Sequence, residues 1–490
     1  MRKKHLFNDF RLEHEYESLT TSMSSSGTSV INRACQTDAE RKAAYRFINN
    51  KNVTVEAISE DLKAQVISNM SVLGCKEILV AQDTMEVVRE NVLGRMKKSG
   101  RPILECARTN KGMRSHSALA MSADSGVPFG FLWLKIWGRE SKEGMEKDLS
   151  ASRKTQSSYY MTDPETGKTR YKYNVPVSER DSESARWIDS AKAARASLPK
   201  DIHIIMVQDR EGDMYPLLTL PSELSNLDIV VRATKKRKVK VNGEKKDLFE
   251  HTLATPEMGR YEITVHKGNG VKTRKATVVL RYGCVTVLRP HSPVYPIKEV
   301  NLCFVRITEN PTPSVDESQR VDWLLLTSIN ADSLDTACKI VSYYRKRWFI
   351  EDYHRLLKKK GFGILDIQVE SPHAFEINLA VGIKSAYEAA LLKKGFDSAD
   401  EQNPATIALT PLEMQIVTNL NKKFNPEKKI HKNPYKHGSL AWAAWVVACE
   451  GGWSAMPSQP KPGIITFKRG LDRIEGIYTY LNEISGATCG

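Results

Sequence analysis

Two aspartates follow short apolar runs, at positions where a buried strand would end. Asp83 comes just after the run Ile78–Ala81, and Asp209 comes just after the run Ile202–Val207. A strand that ends in an acidic residue places that carboxylate at an edge of its sheet. Carboxylates gathered at such an edge bind hard divalent cations, above all Mg²⁺. Both are therefore candidate metal ligands, although either one alone is more often a turn or helix cap.

A third acidic residue belongs to a longer pattern. Tyr344, Arg347, Glu351 and Lys358 lie at offsets of 0, 3, 7 and 14 in one helical segment. At about 100° per residue, all four fall within roughly 60° of one another on one face of the helix. That face would hold a metal through its carboxylate and grip phosphates through its two cations. The alternative is an exposed helix laced with ion pairs.

Asp83, Asp209 and Glu351 together suit the cleavage of phosphodiester bonds. Two divalent ions about 4 Å apart can activate an attacking oxygen and stabilise a leaving one. We expect Mg²⁺ to be the ion, with Mn²⁺ as a substitute, because both favour oxygen ligands.

The elements that would position these residues differ along the chain. Residues 1–70 have helical spacing, with a loop expected at Ser22–Ser29, and strand-like runs begin near residue 77. A polar surface excursion is expected over 140–180. Residues 228–328 predict a mostly antiparallel sheet, with the lysine-rich stretches Lys235–Lys240 and Lys245–Lys246 on one of its loops. The chain is again helical over about 331–360 and over most of 371–490.

Composition narrows the class of protein. The net charge of +15 in 490 residues favours a polyanionic partner, most often nucleic acid. No apolar run is long enough to span a membrane, and the basic N-terminus lacks the apolar stretch of a secretory signal. Eight scattered cysteines without zinc-ligand spacing indicate reduced thiols of a cytosolic protein.

These motifs stand in the order found in a known group of enzymes. Gln82-Asp83-Thr84 and Val207-Gln-Asp209-Arg-Glu-Gly-Asp213 resemble the two aspartate motifs of the DDE transposases of the insertion-sequence-four family. Tyr344-x2-Arg347-x3-Glu351-x6-Lys358 has the spacing of that family's YREK signature. Further similarities are Ala44–Val53, Trp323–Ser328 and Val230-Val-Arg232.

The resemblance implies an α/β fold. It predicts a ribonuclease-H-like catalytic domain over 71–370, with a β-rich insertion at about 228–328. Helical domains would flank it, at 1–70 for DNA binding and at 371–490 for dimerisation. Asp83, Asp209 and Glu351 would be the catalytic residues and the Mg²⁺ ligands. The implied DNA contacts are made by Tyr344, Arg347, Lys358, Trp323 and Arg232.

The implied activity is cut-and-paste transposition, in which transposon ends are nicked, closed as hairpins, reopened and joined to target DNA. A hairpin is tight, so a base must leave the stack, and Trp323 offers a face worth about 1–3 kcal/mol of stacking. The alternative for this tryptophan is core packing. The implied partners are double-stranded DNA and a second copy of the chain in a homodimer. The implied location is the bacterial cytoplasm, at the nucleoid.

Two other functions stay open on the sequence. Only seven residues precede Asn8, and Glu13, His14 and Glu15 stand where the family often has arginines. This departure favours a non-catalytic inhibitor that dimerises with a full-length transposase. The second alternative is a stand-alone nuclease on the same fold, which would need neither the YREK pattern nor Trp323.

Overall fold

The computed structural model describes residues 6–88, 104–105, 112–140, 158–162, 169–174, 183–265, 274–290, 295–311, 315–358, 361–369, 371–424, 432–456 and 458–487. The chain divides into two compact units. The first unit contains residues 1–75, 84–144 and 349–490, and the second contains 76–83 and 145–348. The three-domain division expected from the sequence stays a prediction. No helix in the described part of the chain is both long and apolar enough to cross a membrane.

The helices lie mainly at the two ends of the chain. They are α1 (Phe10–Ser26), α2 (Ile31–Ala34), α3 (Asp38–Ile48), α4 (Val55–Leu73), α5 (Glu183–Ala196), α6 (Tyr215–Leu218), α7 (Leu220–Glu223), α8 (Leu248–Ala254), α9 (Leu334–Lys346), α10 (Trp348–Lys358), α11 (Pro372–Ser385), α12 (Tyr387–Asp397), α13 (Pro411–Asn421), α14 (Leu440–Glu450) and α15 (Ile464–Ala487).

The strands lie between them. They are β1 (Glu77–Val88), β2 (Leu104–Glu105), β3 (Gly112–Ser122), β4 (Pro128–Trp137), β5 (Arg139–Glu140), β6 (Ser158–Thr162), β7 (Thr169–Asn174), β8 (His203–Gln208), β9 (Leu227–Arg232), β10 (Lys238–Val241), β11 (Glu244–Asp247), β12 (Gly259–Val265), β13 (Arg274–Leu288), β14 (Glu299–Glu309) and β15 (Asp322–Thr327). The fold is thus mixed α/β, as predicted.

The amino-terminal helices of the first unit have well-defined ends. Thr37 accepts from the backbone N–H of Glu40, whose side chain caps the Thr37 backbone in return, so α3 begins with a capping box. The predicted loop at Ser22–Ser29 is wrong in its first half. Ser26 donates its hydroxyl to the Ser22 carbonyl, and α1 continues until Gly27, which takes the left-handed conformation that ends the helix.

The carboxy-terminal helices of the first unit form an apolar core. Trp442 and Trp445 of α14 are buried in it, and the ring of Phe396 meets Trp453 and Phe467 edge-on. Helix α1 packs against α11 and α15. The prediction that 371–490 is mostly helical is therefore confirmed. Strands β3 and β4 pair antiparallel in the same unit, and residues 84–88 of β1 lie beside β3.

The second unit is built on a large mixed sheet. Its strands follow the order β11-β10-β13-β14-β15-β9-β8-β1, and β12 is paired with β13 outside this path. Strands β1, β8 and β9 are parallel, and the remaining pairs are antiparallel. The mostly antiparallel, strand-rich segment predicted over 228–328 is confirmed.

The prediction that the lysine-rich stretches lie on a loop is confirmed for residues 235–237 and wrong for the rest. Residues 238–241 and 244–247 form a β-hairpin, and its turn is Asn242-Gly243. Both turn residues have positive φ, 52° and 84°, which is what a two-residue hairpin turn requires. Of the predicted excursion over 140–180, residues 158–162 and 169–174 pair as a two-stranded hairpin, and most of the rest lies outside the described residues.

The prediction that all cysteines are reduced is wrong for one pair. Cys284 of β13 lies directly opposite Cys303 of β14 in the antiparallel register, and the two are joined by a disulfide. The four other cysteines among the described residues are free thiols. Strand register, rather than any spacing in the sequence, brings this pair together.

A histidine joins the three parallel strands near their amino-terminal ends. His203 Nδ1 lies 3.1 Å from Glu77 Oε2, and its Nε2 lies 2.8 Å from Asp228 Oδ2. Tyr343 and Ser328 donate to the other oxygens of these carboxylates, at 2.8 and 2.5 Å. The hydrogen bond to Asp228, more than that to Glu77, raises the pKa of His203 against the effect of burial. Burial also opposes the charged carboxylates, but the hydrogen bonds outweigh it and lower the pKa of both.

We expect this histidine to stabilise the protein only on the acidic side. The folded-state pKa of His203 is raised above the unfolded value of about 6.5, so its contribution is fully present below that pH and disappears as the pH rises through the folded-state pKa. The variant His203→Asn should therefore melt about 2–4 °C below wild type at pH 6 and close to wild type at pH 9. Thermal unfolding followed by circular dichroism measures both.

The exposed His14 provides the control, since His14→Asn should leave the melting temperature unchanged at both pH values. An equal loss at pH 6 and pH 9 for His203→Asn would contradict the expectation, because it would show that shape rather than charge matters there.

Candidate active site

Parallel pairing of β1 and β8 brings the two candidate aspartates to the same level of the sheet. The expectation that both stand at strand ends is confirmed for Asp209, which follows β8, and is wrong for Asp83, because β1 continues past it to Val88. The register pairs Glu77 with His203 and continues, residue by residue, to Ala81 with Val207. Asp83 and Asp209 each stand two residues beyond the last of these pairs. Residues 78–81 of β1 and 204–207 of β8 are apolar and almost completely buried, as expected of parallel strands that are covered on both faces.

The two carboxylates interact with each other. Burial raises the pKa of Asp209 above its ordinary value, the charge of Asp83 raises it further, and the guanidinium of Arg347 opposes both. Asp209 also accepts a hydrogen bond from the backbone N–H of Glu211, at 2.8 Å. The two half-buried carboxylates repel one another, and both offer only oxygen atoms as ligands. A hard divalent cation bound between them would relieve the repulsion. The residues present therefore fit Mg²⁺.

The third predicted carboxylate lies on α10. Glu351 occupies the first turn of this helix and Lys358 its last, and both side chains are half-buried. In the part of the chain that the structure describes, no three histidine, cysteine, aspartate or glutamate side chains are gathered closely enough to hold a metal ion. The roles of Asp83, Asp209 and Glu351 as ligands remain predictions.

The segment predicted as one helix is divided at a single residue. Helix α9 ends at Lys346 and α10 begins at Trp348, while Arg347 between them keeps helical backbone angles of −51° and −31°. Tyr344 and Arg347 are buried, with 6% and 5% of their surface exposed. These two residues therefore do not belong to an exposed helix laced with ion pairs, which was the alternative explanation of the pattern.

Four of the predicted DNA-contacting residues form one cluster in the second unit. The rings of Trp323 and Tyr344 meet edge to face, with centroids 5.1 Å apart. The guanidinium of Arg232 lies 5.8 Å from the Trp323 ring, and that of Arg347 lies 5.7 Å from the Tyr344 ring. Trp323 is only partly buried, so part of its side chain remains accessible to solvent. Such a cluster can offer cations to phosphates and an aromatic face to a base.

A buried ion pair connects the Asp209 loop to the lysine-rich segment. The fully buried carboxylate of Asp213 accepts the backbone N–H groups of Thr234 and Lys235, each at 2.7 Å, and it pairs with the guanidinium of Arg237. The guanidinium of Arg237 is thus buried and held by the carboxylate of Asp213 inside the protein. Nothing in the run of lysines around this arginine distinguishes it from its neighbours before the fold is known.

Breaking this pair should cost much more than removing a neighbouring charge. We expect Arg237→Met to lower the free energy of unfolding by about 3–5 kcal/mol, because it leaves Asp213 buried without its counter-ion. The exposed Lys236 is the matched control, and Lys236→Met should change the free energy of unfolding by less than about 0.5 kcal/mol. Urea unfolding of both variants tests this; small and equal effects would show that the pair does not hold this segment.

Two glutamines next to the aspartates were not singled out from the sequence. Gln82 precedes Asp83, Gln208 precedes Asp209, and both side chains are completely buried. The signal was the same Gln-Asp dipeptide at the end of two apolar runs. A polar amide inside a buried strand is unusual and requires hydrogen-bond partners.

Comparison with known families bears on the amino-terminal helices. Residues 3–53 match a family model described as transposase DNA-binding. The match supports a transposase. It covers α1, α2 and α3, and it includes the Ala44–Val53 segment on which part of the resemblance rested. The outer side of this region presents the exposed cations Lys42, Arg46 and Lys51, which suits a DNA partner.

Proposed function

We propose that this protein is a cut-and-paste DNA transposase of the insertion-sequence-four family, with Asp83, Asp209 and Glu351 as its catalytic carboxylates. The observation that carries the proposal is that the parallel register of β1 and β8 sets Asp83 and Asp209 at the same level, where the charge of Arg347 also acts on Asp209. The transposase DNA-binding match at residues 3–53 supplies the substrate class. We further propose that the mixed sheet and its helices form a ribonuclease-H-like fold.

The three carboxylates would hold Mg²⁺, and Mn²⁺ should substitute. When bound, the metal supplies activation of the attacking oxygen and stabilisation of the leaving one. The chain supplies positioning. Burial of Asp209 beside Asp83 concentrates negative charge at this level of the sheet, and the guanidinium of Arg347 partly offsets it. Together these residues fix where a phosphodiester must lie.

The aromatic and cationic cluster would hold the DNA strand near the reacting phosphate. Arg232 and Arg347 each lie against an aromatic ring, which restricts the guanidinium groups and prepares them to bind phosphates. Trp323 would receive the base that leaves the stack when the end closes as a hairpin. Lys358, at the end of α10, would add a further phosphate contact.

The proposed reactions exchange one phosphorus–oxygen bond for another. Water attacks the phosphorus at the transposon end, the bond to the 3′ oxygen breaks, and the proton lost by water is matched by the one that this oxygen gains. The new 3′-hydroxyl attacks the opposite strand, forming a hairpin and releasing the 3′-hydroxyl of the flanking DNA. Water then opens the hairpin, and the 3′-hydroxyl joins a target phosphate. We propose that a homodimer performs these steps, each chain cutting the end bound by its partner.

Isosteric removal of single carboxylates tests this function. With Mg²⁺ and DNA ends taken from the flanks of the gene, wild type should give nicks, hairpins and joined products. Asp83→Asn, Asp209→Asn and Glu351→Gln should each lower these rates at least about 10³-fold and leave DNA binding intact, because only the metal-binding charge is lost.

The controls are exposed acids beside the candidates. Glu211→Gln, two residues from Asp209, and Asp352→Asn, next to Glu351, should keep activity. If wild type binds DNA or a second chain but yields no products under any metal, the proposal of catalysis is wrong.

Trp323 should matter for hairpin formation more than for the first nick. Loss of a stacking face worth about 1–3 kcal/mol predicts that Trp323→Ala slows hairpin formation roughly 5–150-fold, whereas Trp323→Phe keeps much of the rate. Single-turnover assays on pre-nicked ends separate the two steps. An equal slowing of nick and hairpin by Trp323→Ala would instead indicate that the indole serves the core.

A further inference from the structure

Two buried amides lie side by side directly behind the paired aspartates. The register that pairs Ala81 with Val207 brings Gln82 next to Gln208 one residue later. The Nε2 of Gln208 donates to the Oε1 of Gln82. Neither side chain has any exposed surface. The carboxylates and the amides are therefore neighbours along both strands, and the amides are linked across them.

The amide bridge is anchored to a helix. Gln82 Nε2 donates to the backbone carbonyl of Trp187, at 2.9 Å, and to the hydroxyl of Ser190. Both partners lie on α5, and both are buried. A single chain of hydrogen bonds thus runs from β8 through β1 to α5, one residue before the two aspartates.

The second amide also touches the loop that carries Asp209. A Cβ added to Gly212 would stand 2.6 Å from Gln208 Cβ and 2.9 Å from its Oε1, so this loop lies directly on the glutamine. The Oε1 of Gln208 has no hydrogen-bond partner. Gln208 is therefore held between the Gln82 amide on one side and the Asp209–Asp213 loop on the other.

Burial of two amides is an expensive way to fill a strand. An amide taken from water costs about 1–3 kcal/mol unless it is fully hydrogen-bonded, whereas an apolar side chain of the same size would stabilise the core. All the residues that precede these glutamines, 78–81 on β1 and 204–207 on β8, are apolar. The polar exception occurs on both strands at the same level, immediately before the aspartates, which points to a role at that edge.

We propose that Gln82 and Gln208 are positioning residues, which set the separation of Asp83 and Asp209 and thereby the affinity of the pair for a divalent cation. This inference rests on the proposed function for the identity of the site. The glutamines touch neither metal nor DNA; they act through the strands and the loop that carry the carboxylates. Partners that orient metal ligands in this way typically change metal affinity 10–100-fold when they are removed.

The test measures Mn²⁺ binding to the whole free protein, by the loss of the free-ion electron paramagnetic resonance signal. Gln82→Met and Gln208→Met keep side-chain volume and remove the amide bridge. Each should raise the Kd for Mn²⁺ at least about ten-fold. The Mg²⁺ concentration for half-maximal DNA cleavage should rise by the same factor, and the rate should recover at saturating Mg²⁺.

A buried amide elsewhere provides the matched control. Asn378 is fully buried, donates to the Ser29 carbonyl at 2.9 Å, and has an unpartnered Oδ1, as Gln208 has an unpartnered Oε1. Asn378→Leu should change the melting temperature and leave the Kd for Mn²⁺ as in wild type. Gly212→Ala is a second route to the site, since it presses on Gln208 and keeps every amide, and it should weaken Mn²⁺ binding in the same direction.

The outcomes separate the two proposals. Wild-type affinity for Mn²⁺ in both glutamine variants and in Gly212→Ala would overturn the positioning role. If wild type binds Mn²⁺ no better than Asp83→Asn, the metal site and the positioning role both fail. If wild type binds Mn²⁺ through Asp83 and the variants weaken it, but no DNA is cut, the positioning role stands and the transposase proposal fails.

Discussion

Parallel pairing of β1 with β8 is the constraint on which the rest of the candidate site depends. It holds two carboxylates near each other although like charges about 4 Å apart near a protein surface repel by about 4 kcal/mol. Burial of one valine, leucine or isoleucine contributes about 1.5–3 kcal/mol, and each strand buries a run of such residues completely. The apolar strands therefore outweigh the repulsion, and the site stays assembled in a state that favours a cation.

The loop that follows β8 also contacts the β-rich part of the second unit. Asp213, four residues after Asp209, binds the backbone where the chain leaves β9, and β9 carries Arg232. Pairing of β9 with β15 sets the level of Arg232 against Trp323, since Leu325 lies opposite Arg232. The position of the aromatic cluster thus depends on strand register and on one buried ion pair.

The sequence predicts the parts of this arrangement that depend on local pattern. Strands covered on both faces appear as unbroken apolar runs, so the two runs that precede Asp83 and Asp209 were visible, although only Asp209 stands at a strand end. Helical spacing likewise placed Tyr344 and Arg347 on one face. The serines at Ser22–Ser26 led to the wrong prediction of a loop. A serine in a helix can donate its hydroxyl to a carbonyl of the preceding turn, so it does not end the helix.

What the sequence could not supply is pairing at a distance. The disulfide between Cys284 and Cys303 depends on the register of two long strands joined by a separate loop, and no spacing rule predicts that register. Burial of Arg237 depends on Asp213, 24 residues earlier, and its neighbours in the sequence are exposed lysines. The bridge between Gln82 and Gln208 likewise exists only once the strands are side by side.

The hairpin at residues 238–247 has a consequence of another kind. Among the described residues, strand β11 is the last strand of its sheet, so one row of its backbone N–H and C=O groups has no described strand beside it. A free edge of this kind can pair with the same edge of a neighbouring molecule and begin aggregation. Lys245 and Lys246 stand exposed on that edge, where their like charges oppose such pairing. The charges of these lysines thus protect the exposed edge of the sheet against pairing with a second molecule.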